Sequence, residues 1–141
     1  MKRILFTVMA FILTFSCFSQ TPGWEWAELI SAPSTTVHHV NFLAKDGAGN
    51  IYVTGYFSNG GMHLGATTLN NAGGKDAFLV KYDQNGNMIW AKSFGSNSDE
   101  FLNSVTVDPS GDIYVVGYFS SSSLIIGSTT LTNSGMSDVL L

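Results

Sequence analysis

The chain has 141 residues, of which 45% are hydrophobic and only 11% charged, and its formal net charge is −4 at pH 7. An acidic chain of this kind lacks the Lys/Arg patch that a phosphate backbone requires, which argues against nucleic acid as a partner. With a single cysteine it has no disulfide framework, so apolar burial and backbone pairing must hold the fold together.

The N-terminal residues have the three parts of a secretory signal peptide. Lys2 and Arg3 precede an apolar run over residues 4–15, and the small residues Cys17 and Ser19 follow. We predict a signal peptide at 1–19, cut after Ser19, and a protein that is secreted or held at the cell surface. The run is shorter than the ~20 apolar residues of a spanning helix, so no membrane span is expected after cleavage. A lipid on Cys17 is an alternative, which the bulky Phe15, two residues before it, disfavours. Cleavage leaves four lysines against ten acids, a net charge of −6.

Residues 20–36 are predicted to form a leading strand and a loop. The string EWAELI at 25–30 resembles IWAKSF at 89–94, which superposes Trp26 on Trp90 at an offset of 64. This segment therefore resembles the last strand of a structural unit, although it precedes any first strand. We expect it to close a ring by completing another unit.

An internal repeat decides the predicted fold class. Residues 46–57 read DGAGNIYVTGYF and residues 108–119 read DPSGDIYVVGYF, so that eight of twelve positions are identical at an offset of 62. The same offset pairs Asn41 with Asn103 and continues into the segments that follow. We define unit 1 as residues 37–94, a first propeller blade, and unit 2 as residues 95–141, a second blade that we expect to be truncated. A ring takes about four to eight blades, so we expect a longer natural product.

Strand signals within unit 1 occur at residues 40–45, 50–57, 77–83 and 88–94, which are short runs rich in Val, Ile, Tyr, Phe and Trp. They predict an all-β protein of four-stranded antiparallel blades in an incomplete ring. The stretch 62–69 is an extra strand or an elaborated loop. Residues 113–119 are apolar on both faces, as expected for a sheet covered on both sides. Gly55 and Gly117 recur within strands, which indicates a bulge or a closely approaching backbone.

Three Asp-x-x-Gly-Asn/Asp motifs begin at Asp46, Asp83 and Asp108. Their oxygen atoms could bind calcium, which prefers carboxylates and carbonyls. We interpret them instead as hairpin turns, in which Asp caps the turn and Gly111 supplies the left-handed residue in the third motif. Apart from this calcium alternative, the sequence predicts no metal site and no cofactor.

Other chemistry-bearing residues do not form a recognisable catalytic pattern. His38 and His39 are adjacent and point to opposite faces of a strand, and His63 stands alone in a Gly-rich stretch. The serines at 120–123 lack a nucleophile motif and are interpreted as a polar loop. The acidic pair at 99–100 is interpreted as a solvated connection between the units.

The three tryptophans are candidates for stacking on sugars or for packing. Trp26 and Trp90 recur at equivalent strand positions, which favours packing between blades. Trp24 has no repeated counterpart and is the more open to a surface role.

The string at 46–57, followed by KDAFLVKYDQNGNMIWAKSFG at 75–95, resembles the bacterial β-propeller repeats known as SBBP repeats, over about residues 24–141. Kelch repeats are a more distant likeness. The resemblance implies a secreted or cell-surface propeller, often part of a large exported protein of Bacteroidetes with a C-terminal sorting domain. That family has no generally assigned catalytic residues, so we assign none.

The function expected from the sequence is a non-enzymatic binding or scaffold module for protein or glycan. The remaining blades of the same polypeptide are a further expected partner. The alternative is that the propeller belongs to a larger exported enzyme whose catalytic residues lie outside this chain.

Overall fold

The computed structural model describes residues 25–31 and 36–141, which form strands and contain no helix. The predicted signal peptide at 1–19 and Trp24 lie outside the described residues. The strands are β1 (Ile30–Ser31), β2 (His38–Lys45), β3 (Ile51–Ser58), β4 (Met62–Leu64), β5 (Thr67–Leu69), β6 (Lys75–Tyr82), β7 (Met88–Phe94), β8 (Glu100–Val107), β9 (Ile113–Phe119), β10 (Ser123–Ile126), β11 (Thr129–Thr132) and β12 (Asp138–Leu140).

The two units repeat one antiparallel arrangement. In unit 1 the strands β2, β3, β6 and β7 lie side by side in that order, and in unit 2 the strands β8, β9 and β12 do the same. The predicted all-β class and the antiparallel blades are confirmed. Strands β2 and β6 each begin two residues before the predicted start, because backbone pairing continues beyond the apolar run that signalled them.

A short hairpin joins the second and third strands of each sheet. β4 pairs with β5 in unit 1, and β10 pairs with β11 in unit 2. The sequence left open whether residues 62–69 form a strand or a loop, and the structure shows two short strands. Each hairpin packs apolar side chains against its own sheet, with Met62, Leu64 and Leu69 buried in unit 1.

Each main sheet has two faces, which the alternation of side chains along β3 and β9 defines. The front face carries Phe57 in unit 1 and Phe119 in unit 2, and the back face carries Tyr52 and Tyr114. The front of unit 2 packs on the back of unit 1, forming one core that contains Leu102, Val105 and Phe119 together with Tyr52, Ala77 and Leu79. A second core lies between the front of unit 1 and its hairpin.

Strand β3 is covered on both faces. Strand β9 differs from the prediction, because its back face is exposed at Tyr114, Val116 and Tyr118. In the described part of the chain, no further sheet lies behind unit 2. The sequence of β9 therefore has the two-sided apolar character of a covered strand, while one of its faces meets solvent.

The leading segment meets the hairpin of unit 1. Ile30 pairs with Leu64 and Ser31 pairs with His63. In unit 2 the corresponding hairpin residue is Ile126, which lies beside Phe94 at the end of β7. Ile30 thus lies beside the hairpin of unit 1 as Phe94 lies beside the hairpin of unit 2. This agrees with the resemblance of the leading segment to the end of a fourth strand. Whether the segment closes a ring stays a prediction.

Candidate interaction surface at the loop end

The sheets have two different ends. The turn end carries the three tight turns that follow β2, β6 and β8, and the loop end carries the two hairpins and the connection at residues 95–99. All three predicted Asp motifs lie at the turn end. The remaining candidate residues with polar or aromatic side chains lie mainly at the loop end, and the two ends therefore have different chemistry.

At the turn end the aspartates accept hydrogen bonds from their own turns. Asp46 Oδ1 accepts the N–H groups of Ala48 and Asn50 at 2.9 Å, and its Oδ2 accepts the Asn50 amide at 2.7 Å. Asp83 repeats this pattern with Asn85 and Asn87. The amide of Asn50 is the main cause that lowers the pKa of Asp46, and that of Asn87 lowers the pKa of Asp83.

The third turn uses Asp108, whose Oδ1 accepts the N–H of Asp112 at 2.9 Å. Gly111 has a φ of 91°, the left-handed conformation predicted for it. Across the described ranges, no three His, Cys, Asp or Glu side chains converge in a way that could hold a metal ion. The observed hydrogen bonds support the turn interpretation, and the calcium alternative stays a prediction that ion titration can test.

At the loop end, the connection between the units is fixed by hydrogen bonds. Gly74 N–H donates to Ser98 O at 3.1 Å, and Ser120 N–H donates to Asp99 O at 2.8 Å. Ser98 N–H donates to the hydroxyl of Ser121 at 2.8 Å. These hydrogen bonds join the loops of both units to the connection between them, so the backbone of the loop end is held in place.

The acidic pair of this connection divides into two environments. Asp99 is partly exposed, and its carboxylate accepts the N–H of Lys75 at 2.9 Å and lies 3.7 Å from the Lys75 ammonium. Glu100 is buried and accepts the N–H of Ser96 at 2.8 Å. The predicted solvated connection is therefore wrong for Glu100, because pairing of β8 with β9 places its side chain on the covered front face.

Asp76 is a second buried carboxylate at this junction. Its Oδ2 accepts the N–H of Ala72 at 2.8 Å, while its Oδ1 has no hydrogen-bond partner. Burial raises the pKa of Asp76, the Ala72 N–H lowers it, and the charge of Glu100 raises it further. In the sequence, Asp76 stands out only because Asp138 repeats it one unit later. Nothing in the sequence indicated that Glu100 is buried, and its counterpart in unit 1 is His38.

Aromatic side chains form a row across the junction. His39 stacks on Tyr56 at 5.3 Å, Tyr56 meets the edge of Phe101 at 4.8 Å, and Phe101 stacks on Tyr118 at 4.6 Å. The Lys75 ammonium lies 5.4 Å from the Tyr56 ring and 5.2 Å from the Phe101 ring. His39 and Phe101 are equivalent positions of the repeat, as are Tyr56 and Tyr118, so the row follows from the repeat itself.

The remaining sequence candidates lie apart from this row. His63 contacts the Thr68 hydroxyl at 2.9 Å within the first hairpin. Trp90 meets the edge of Tyr52 at 6.3 Å within the core between the units, as predicted, and Trp26 lies 5.9 Å from Tyr82. Of the serines at 120–123, Ser121 is buried and structural.

An apolar cleft of about 640 Å³ lies between unit 1 and unit 2, and its lining includes Trp90, Lys92 and Ile126. In unit 1 the corresponding position, beside Trp26, is occupied by Tyr82. The cleft is thus part of the packing between a sheet and the strand before it.

The described part of the chain is an all-β repeat protein with propeller-like blades. No family model matches it. It is similar to an uncharacterised WD repeat-containing protein of Acanthamoeba polyphaga mimivirus, at 37% identity over 100 residues, which cover 67% of this chain and 7% of that protein. The chain therefore spans a small part of the length of this relative. Within the described ranges, no helix has the length and apolar character needed to cross a membrane.

Proposed function

We propose that the chain is a non-catalytic binding and scaffold module of the SBBP propeller kind, exported from the cell, whose loop end binds a protein partner. The observation that carries the proposal is the loop end held by hydrogen bonds, where the partly exposed Lys75–Asp99 pair lies beside the aromatic row. A surface whose backbone is already fixed binds with little further loss of conformational entropy. Aromatic side chains are also enriched at protein interfaces.

A further observation favours a protein over a glycan. The rings of the aromatic row pack against one another, with Tyr56 lying between His39 and Phe101 and below the Lys75 ammonium. A sugar stacks on a free ring face, and in this row the inner rings have little of it.

Selection from a random-peptide library on the immobilised chain, with a glycan array in parallel, tests the proposal. We expect enriched peptides, and we expect Lys75→Glu to weaken their binding about tenfold, equivalent to ~1.4 kcal/mol. Lys45→Glu is the matched control, because it makes the same charge change on an exposed lysine near the turn end. Enrichment of glycans alone, or equal losses in both variants, would contradict a protein-binding loop end.

Export is the second element of this proposal, and it is supported by the three-part pattern of residues 1–19. Mass spectrometry of the chain recovered from the medium of a bacterial host tests it directly. We expect a mature N-terminus at Gln20. A chain that stays in the cytoplasm with Met1 intact would contradict export.

A further inference from the structure

The turn between β6 and β7 differs from the other two tight turns in the residue before its left-handed glycine. That residue is Asn85, and Gly86 follows it with a φ of 84°. The corresponding residues are Ala48 in the turn after β2 and Ser110 in the turn after β8. Asparagine is a thermolabile residue type. It is least stable before glycine, because a glycine nitrogen reaches the side-chain amide without hindrance from a side chain of its own.

The surroundings of Asn85 leave its side chain free to react. The residue is exposed, and its side-chain amide has no hydrogen-bond partner among the residues that the structure describes. Its backbone N–H donates to Asp83 Oδ1 at 2.8 Å, and the Gly86 N–H donates to the Asp83 carbonyl at 3.1 Å. Only the second of these hydrogen bonds involves the attacking nitrogen. One weak turn hydrogen bond therefore opposes the reaction.

The same turn supports the leading segment through Trp26. A Cβ added at Gly86 would lie 2.6 Å from Cδ2 of the Trp26 ring, so the ring lies directly against the backbone of this glycine. The ring centre of Trp26 is also 5.9 Å from that of Tyr82, at the end of β6. The position of Trp26 therefore depends on the exact path of the backbone at Gly86.

We propose that Asn85 is a site of spontaneous deamidation, and that isoaspartate formed there releases Trp26 from the turn. The Gly86 nitrogen forms a bond to Cγ of Asn85 and loses its proton, and the side-chain nitrogen leaves as ammonia, which closes a succinimide ring. Water then adds to one of the two ring carbonyls and breaks its bond to the Gly86 nitrogen. The product is aspartate or isoaspartate at position 85, and the reaction consumes only solvent water.

Isoaspartate changes the turn in a way that aspartate does not. It inserts one additional carbon atom into the backbone between positions 85 and 86. The turn then cannot retain both the hydrogen bond from Gly86 to Asp83 and the position of Gly86 against the Trp26 ring. The described part of the leading segment, residues 25–31, loses this support. The site lies at the turn end, so the inference does not depend on the loop-end binding proposed above.

Ageing of the purified chain in warm, mildly alkaline buffer, followed by digestion with trypsin, tests the deamidation. Cleavage after Lys81 and Lys92 isolates residues 82–92, which contain both Asn85 and Asn87. We expect the mass shift of amide-to-acid conversion in this peptide, placed on Asn85 by fragmentation. The rate should be at most about tenfold below that of the free synthetic peptide 82–92, because one turn hydrogen bond must open. Asn85 that stays unchanged after the free peptide has converted would overturn the assignment.

Cleavage of the folded, aged chain by a protease specific for glutamate tests the release, because the leading segment carries the exposed Glu25 and Glu28. We expect a fraction that is cut about tenfold faster than the fresh chain, as loss of one aromatic contact allows. This fraction should equal the isoaspartate content, which methylation by an isoaspartate-specific methyltransferase measures. An aged chain that is cut at the rate of the fresh chain would overturn the release.

Two variants separate the added backbone carbon from other effects of ageing. Asn85→Ser has the residue type of Ser110 in the equivalent turn and should show no fast fraction after ageing. It retains the other Asn-Gly pair of the chain, Asn59 and Gly60, so any effect of ageing there appears in this control too. Freshly purified Asn85→Asp has the charge of the product without the added carbon and should be cut like the fresh wild type. Circular dichroism checks that both variants are folded. An Asn85→Asp variant that is cut as fast as the isoaspartate fraction would overturn the role of the backbone change.

Discussion

Asn41 and Asn103 occupy the same position in the two units, and the amide of Asn41 reaches both the carbonyl of Leu102 at 2.9 Å and the side-chain oxygen of Asn103 at 3.4 Å. Each asparagine is the extra residue of a β-bulge in the first strand of its unit, where the register shifts. The bulge turns the side chain toward the neighbouring unit. The Asn41 amide thus adds polar contacts to the apolar packing between the two sheets.

Asn41→Ala removes this contact and should lower the free energy of unfolding by about 1 kcal/mol, the usual net value of one hydrogen bond. Urea unfolding followed by tryptophan fluorescence measures the change. Asn103→Ala is the control, because it removes only the longer 3.4 Å contact, and its effect should be smaller. Equal losses from both variants would show that the Leu102 carbonyl is not the important acceptor.

The sequence predicted the repeat, the strands and the turns, because these depend on local periodicity and on turn residues that recur 62 positions apart. It did not predict the burial of Glu100 or the exposed back of β9. Both depend on which sheet face lies against which neighbour, and that arrangement is not contained in the alternation of a single strand. The aromatic row was also missed, because the equivalent positions His39 and Phe101 carry different residue types.

Gly55 lies opposite the bulge of β2, and this explains why a glycine recurs in the middle of the second strand. A Cβ added at Gly55 would lie 1.8 Å from the carbonyl oxygen of His39, which is a backbone atom and cannot rotate away. We expect Gly55→Ala to lower the free energy of unfolding by about 3 kcal/mol or more. The control is Gly47→Ala, where no atom lies within 4 Å of the added Cβ. Thermal unfolding that is equally tolerant of both changes would contradict the close backbone approach.

Thr54 is fully buried, and its hydroxyl has no hydrogen-bond partner in the described structure. Its counterpart in unit 2 is Val116, which has nearly the same shape without the hydroxyl. We expect Thr54→Val to raise the free energy of unfolding by about 1–2 kcal/mol, because a buried unpaired hydroxyl is costly. Thr106→Val, an exposed change on β8, should have little effect. A destabilised Thr54→Val in urea unfolding would show that the hydroxyl has a partner, such as a bound water.

Asp76 should make the stability of the chain depend on pH. Burial raises its pKa above the ordinary value of 3.8, so the folded state disfavours the ionised form. Ionisation of Asp76 therefore lowers the free energy of unfolding. This loss is absent below the pKa of Asp76 in the unfolded chain and is complete once the pH has risen above its pKa in the folded chain. Asp76→Asn should therefore melt at a higher temperature than the wild type at pH 7, and the difference should vanish toward pH 3.

The control for this change is Asp138→Asn at the equivalent position, where the amide oxygen can still accept the Ser134 N–H at 3.0 Å. Its melting temperature should follow that of the wild type across the same pH range. An Asp76→Asn variant that melts below the wild type at neutral pH would mean that the ionised carboxylate is stabilised in the fold, for example by a bound cation.

The three turns at the turn end should be insensitive to calcium, because the carboxylate oxygens of Asp46 and Asp83 already accept hydrogen bonds from the turns themselves. We expect no change in melting temperature between a chelator and millimolar calcium.

Asp83→Ala should lower the melting temperature at pH 7, whereas Asp83→Asn should largely retain it, since an asparagine oxygen can accept the same backbone N–H groups. Because hydrogen bonds lower the pKa of Asp83, its contribution is present above pH 3.8 and is lost as the pH falls through the lower folded pKa. Calcium-dependent stabilisation that Asp83→Asn abolishes would instead identify a cation site.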